Sequence, residues 1–116
     1  MKRTNLIILL ILALLFCLEG LPSSVEAADD KARKAYLAGN SQLAYQEWKQ
    51  RAEQDDAEAQ FNLAFLFETG RGVPQDLKVA AIWYETAARQ NYPGASQKLV
   101  AVKERIKQAY TNEFNR

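Results

Sequence analysis

The sequence predicts an all-α protein, a short α-solenoid of antiparallel helix pairs, and three observations carry that expectation. Beyond the first quarter of the chain, Gly and Pro are confined to Gly39, Gly70, Gly72, Pro74, Pro93 and Gly94. The segments between them are rich in Ala, Leu, Gln, Glu and Lys, which favour helix, while Thr, Val and Ile never alternate over a strand's length. The chain also repeats itself. Shifted by 36 residues, Ala44 falls on Ala80, Trp48 on Tyr84, Ala52 on Ala88, Gln54 on Gln90, Ala59 on Ala95 and Leu63 on Leu99. Helix pairs stacked in series produce a fixed offset of this kind.

The first element is an export signal over residues 1–27. Lys2 and Arg3 make a basic start, residues 6–18 are an unbroken apolar run, and Glu19, Gly20 and Pro22 end it. Val25-Glu26-Ala27 then offers short side chains at the positions a signal peptidase reads, so cleavage is expected after Ala27. The run of 13 residues is short for a bilayer, which takes roughly 20 in a helix, so a permanent anchor is the weaker reading. Cys17 follows the bulky Phe16 rather than a small residue, which argues against a lipid attachment site. The expected product is an exported, periplasmic or secreted chain of residues 28–116 that carries no cysteine and stands on packing alone.

Five helices follow, at about 30–38, 41–54, 57–69, 77–90 and 94–112. Asn40 or Ser41 can cap the second of these, and Asp76 the fourth. Asp55 followed by Glu58 has the spacing of a capping box before the third. Gly70 can close the third in the left-handed conformation, Asn91 is the tolerated substitute after the fourth, and Pro93 suits the first turn of the last. Ala44, Trp48 and Ala52 make a small–large–small stripe that Ala80, Tyr84 and Ala88 repeat. Small residues let helices approach and the ring fills the gap. Ala59, Leu63, Ala64 and Phe67 do the same on the helix between.

Residues 59–99, AQFNLAFLFETGRGVPQDLKVAAIWYETAARQNYPGASQKL, resemble a Sel-1-like repeat, a relative of the tetratricopeptide helix pair. The resemblance rests on Ala59, Leu63, Ala64, Phe67 and Gly70, on the loop Gly70, Gly72, Val73 and Asp76, and on Trp83, Tyr84, Ala87 and Ala88. Val79 and Asn91 depart from the pattern, where Lys and Gly are usual. Residues 28–56 read as a degenerate first unit with a short Gly39-Asn40 turn, 57–92 as the clean repeat, and 93–116 as a capping helix. In that last segment Leu99, Val102, Ile106 and Ala109 make an apolar face, backed by Lys103, Glu104, Lys107 and Gln108.

Composition narrows the function. The 116 residues carry 15 Lys+Arg against 14 Asp+Glu, a formal charge of +1, with no His and one Cys. That balance gives no basic footprint for nucleic acid. Without His, and without Cys after cleavage, no cofactor or metal is expected, and Ser41 and Ser96 have no imidazole to activate them. Glu47, Glu68, Glu85 and Asp76 are the carboxylates that a two-carboxylate hydrolase would need, and nothing in the sequence pairs them.

The leading reading is a non-enzymatic module of the bacterial envelope or secreted space; the resemblance implies that it binds a protein or peptide partner, and signal cleavage would leave no membrane contact in the mature form. Two alternatives stand beside it: an exported hydrolase or inhibitor acting on cell-wall material, and a self-associating structural protein that dimerises through its last helix. Among the aromatics, Phe61 and Phe65 lie opposite Leu63 and Phe67. Phe65, which the repeat pattern does not require, is the candidate partner contact.

Overall fold

In the computed structural model, described for residues 2–18 and 24–116, there are six helices and, among the described residues, no strand. They are α1 (Lys2–Leu18), α2 (Ser24–Leu37), α3 (Ser41–Ala52), α4 (Ala57–Thr69), α5 (Leu77–Arg89) and α6 (Ala95–Phe114). The break expected at Glu19, Gly20 and Pro22 lies outside the described residues. In α1 the side chains of Leu6, Ile7, Ile8, Leu9, Leu10, Ile11, Leu12 and Leu14 are all exposed. No helix among the described residues is long and apolar enough to cross a membrane.

From α2 onward each helix packs chiefly on its neighbours in sequence, the pairing pattern of a solenoid. α2 begins at Ser24 rather than near residue 30 and so runs through Val25, Glu26 and Ala27. Ala27 and Ala28 are strong helix formers, which suits an earlier start.

The caps are local chemistry. Asn40 accepts from the Leu43 amide at 3.1 Å, and Asp76 accepts from Lys78 and Val79 at 3.0 and 3.1 Å. Gly70 closes α4 with φ +72°, and Asn91 takes φ +56° after α5.

Two expectations are corrected. The residue that caps α4 is Asp56, whose Oδ1 accepts from the Ala59 amide at 3.1 Å, while Asp55 turns the chain at φ +63°. Asp56 wins because its second oxygen accepts from Arg51 Nε and Nη2 at 3.0 and 2.5 Å, which helps to satisfy an arginine that is only 9 % exposed. Glu58 closes no capping box but pairs with Arg33 of α2 at 2.6 Å. Pro93 stands before α6 rather than in its first turn: a Tyr92–Ala95 backbone hydrogen bond of 3.2 Å makes a turn there, and Gly94 precedes the helix.

Two apolar clusters share α4. Ala32, Ala35, Ala44, Trp48, Ala52, Ala59, Leu63 and Leu66 form the first, between α2, α3 and α4. Ala64, Ala80, Ala81, Tyr84 and Val102 form the second, between α4, α5 and α6. Phe67 and Trp83 pack against both. On α5 the turn of the helix buries Ala87 and leaves Ala88 only half-buried, so the second stripe is Ala80, Tyr84 and Ala87 rather than a copy of the first.

Candidate functional site

The loop between α4 and α5 fixes how the two units meet. Gly72 has φ +73°, and a Cβ built on it would fall 2.4 Å from the Ser41 carbonyl oxygen at the start of α3. Only glycine lets the loop lie that close to the preceding unit. The Asp76 amide donates to the Phe67 carbonyl at 2.9 Å, and Gln75 Nε2 donates to the Glu68 carbonyl at 2.8 Å, so the loop folds back on α4.

That stacking puts α2, α4 and α6 in one layer and α3 and α5 in the other. Across the first layer Arg33 reaches Glu58, Tyr36 meets Phe65 edge-on at 6.3 Å, and Phe61 packs on Tyr92 at 5.0 Å. An open cleft of about 290 Å³ results, lined by Arg33 and Tyr36 of α2, Trp48 of α3, and Phe61, Asn62 and Phe65 of α4. Tyr36 and Trp48 lie 5.8 Å apart, and Phe61 also meets Tyr84 edge-on at 5.2 Å. The indole N–H of Trp48 is buried with no acceptor among the described residues. A buried donor left without a partner is uncommon in a folded chain.

Cations stand over two of its rings. On one side Arg71 hydrogen-bonds the Tyr36 hydroxyl, and its guanidinium lies over the Tyr36 ring at 5.3 Å. On the other, Lys98 stands 5.5 Å over the Phe65 ring and 3.2 Å from Glu68 Oε2, and Arg105 is 3.0 Å from Glu68 Oε1. Burial works to raise the Glu68 carboxyl, but the Tyr84 hydroxyl, Lys98 and Arg105 outweigh it and hold it below its ordinary 4.5. Burial, then the Glu68 carboxylate, push the Tyr84 phenol well above its ordinary 10.0.

The repeat-motif residues sort by burial. Ala59, Leu63, Ala64, Tyr84 and Ala87 are buried; Phe67, Val73, Trp83 and Ala88 are half-buried; Gly70, Gly72 and Asp76 belong to the loop. Phe65 is half-buried, flanked by Tyr36 and Lys98, on the wall of the cleft. The hydrolase carboxylates are each engaged by their own partners: Glu47 by Lys31 at 2.5 Å, Glu85 by Arg89 at 2.7 Å, Asp76 by the α5 amides, and Glu68 as above.

Sequence reasoning passes over Tyr36, Asn62 and the four cations at the rim, and assigns Trp48 to packing alone. A signal was present in the i, i+3, i+4, i+7 spacing of Glu58, Phe61, Asn62 and Phe65, which marks one face of α4.

Residues 57–92 match the family model described as Sel1 repeat. Comparison with curated proteins and with solved structures finds no match. The matched segment is α4, the Gly70–Asp76 loop and α5, the helix pair at the centre of the solenoid. Sel1 repeats generally serve as non-catalytic units of protein–protein interaction, and by this match residues 57–92 are a Sel1 repeat.

Proposed function

We propose that this chain is a non-enzymatic protein-interaction module of the bacterial envelope or secreted space, and that it holds a protein or peptide segment in the aromatic cleft. One observation carries the reading: Tyr36, Trp48, Phe61 and Phe65, from three helices, converge on an open cleft with Asn62 between them. Large rings on rigid helices supply apolar contact at little entropic cost, and helical-repeat arrays bind extended segments along such faces. The Asn62 amide adds a donor and an acceptor suited to a peptide backbone. Export rests on the basic start, the apolar run and the Val25-Glu26-Ala27 site.

Photo-crosslinking in living cells tests this. A benzophenone amino acid at position 62 is expected to give a defined adduct, and the same probe at the exposed Gln50 of α3 is not. Phe65→Ala should abolish the adduct while lowering stability by only about 1 kcal/mol, as fits a half-buried ring. No adduct from position 62 at any expression level would sink the reading.

Self-association through α6 is the second reading, favoured by one observation: Val100, Tyr110 and Phe114 are 62, 55 and 93 % exposed. A mass that stays monomeric by light scattering at high protein concentration would remove it.

A further inference from the structure

We infer that the segment held in the cleft is acidic: an extended peptide whose one apolar side chain enters between Phe61, Phe65 and Tyr36, with carboxylates on either side of it. This deepens the interaction reading above and rests on it. The charges at the rim are uneven. Beside the Arg33–Glu58 pair, the cations Arg71, Lys98 and Arg105 stand against the single carboxylate Glu68, an excess of two positive charges among these described side chains in a chain whose formal charge is only +1. The cations also sit at opposite ends. Arg71 lies over Tyr36 on the α2 side, and on the α6 side Lys98 stands over Phe65, with Arg105 beside it on Glu68.

A ligand with carboxylates at both ends and an apolar group between them meets that arrangement, and a basic ligand is repelled at both ends. Single-stranded nucleic acid shares the taste for rings and cations. Two surplus charges are few for tracking a phosphate backbone, and a cleft of about 290 Å³ has room for one side chain rather than a run of stacked bases.

The experiment is fluorescence polarisation on the full chain in mild detergent. It uses labelled synthetic pools of peptides about ten residues long, each with a central Leu or Phe. One pool carries Glu and Asp flanks, a second Gln and Asn, a third Lys. The acidic pool is expected to bind about tenfold tighter than the neutral pool and the basic pool weakest, with the difference shrinking in about 0.5 M salt. Lys98→Gln should reduce the acidic preference. Arg71→Gln, on an exposed loop and outside the Glu68 network, should reduce it without disturbing the fold.

Equal binding of the neutral or basic pool overturns the acidic assignment and leaves the cleft reading standing. Tighter binding of a labelled oligothymidylate than of the acidic pool also overturns it. Failure of all the peptide pools overturns both.

Discussion

The Tyr84 hydroxyl donates to Glu68 Oε2 at 2.6 Å, from a tyrosine that is fully buried in α5 to a carboxylate whose side chain is 12 % exposed on α4. The same ring fills the second core, so a single residue joins the packing of the Sel1 unit to the charged rim of its cleft. Glu68 in turn aligns Lys98 and Arg105, which places both of these cations under the control of α5.

Tyr84→Phe keeps the ring and removes the donor. Hydrogen bonds to charged groups contribute about 1.5–3 kcal/mol, and the variant is expected to lose about that much in urea unfolding. A loss well below 1 kcal/mol would mean that Lys98 and Arg105 satisfy Glu68 without help.

Stability should fall at both ends of the pH scale. Unfolded Glu68 titrates near 4.5 and folded Glu68 lower, so the unfolded chain binds more protons in that window. The contribution is whole above pH 4.5 and is lost as the pH falls through the lower folded value. For Tyr84 the folded phenol keeps its proton above 10.0 while the unfolded one ionises, so stability declines as the pH rises past that point. Melting curves across pH check both limbs, and Tyr84→Phe should flatten the alkaline one.

Leu63→Ala should cost about 2–5 kcal/mol, since Leu63 is 1 % exposed in the first cluster. For a domain of this size that is a large part of a total of roughly 5–15 kcal/mol. An unchanged denaturation midpoint would contradict the packing described.

Gly72→Ala adds a methyl group 2.4 Å from the Ser41 carbonyl oxygen, at φ +73°. The left-handed backbone and the overpacking together predict a loss of about 2–4 kcal/mol, with the two units pushed apart. Calorimetry reads the loss directly, and a melting temperature equal to that of the parent would disprove the close approach.

Export predicts that the protein recovered from the envelope or medium begins Ala28-Asp29-Asp30. Intact-mass measurement decides it. Full-length protein recovered from membranes would show an uncleaved anchor instead.

Much of the fold was legible because its causes are local. Asn40, Gly70 and Asp76 act on amides and carbonyls within a few residues of themselves, and the 36-residue offset exposes the stacking. What escaped depends on partners far along the chain. Asp56 rather than Asp55 caps α4 because Arg51 reaches over from α3, and two adjacent acids look alike without it. Ala87 and Ala88 differ only in the rotation of α5 against its neighbours.

The cleft was hidden for the same reason. Gln60, 1 % exposed, donates to the Ala52 carbonyl and accepts from Gln90, which is 30 residues away. The link from Glu68 to Arg105 spans 37 residues. Phe65 stood out as an aromatic that the repeat did not require, but Tyr36 beside it carried no mark and Trp48 looked like ordinary packing.

Leu63 and Ala64 are consecutive in α4, yet the first belongs to the core built with α2 and α3 and the second to the core built with α5 and α6. Linear arrays commonly melt piecemeal, because each unit has an interior of its own. Here one helix is the shared wall of both interiors, and neither half keeps a closed core once α4 is gone. Heat or denaturant should therefore meet a single cooperative transition, with a denaturant slope that reports the surface of the whole domain. The amide hydrogens of Leu63 and Ala64 will exchange with solvent through one and the same opening, that of the entire solenoid.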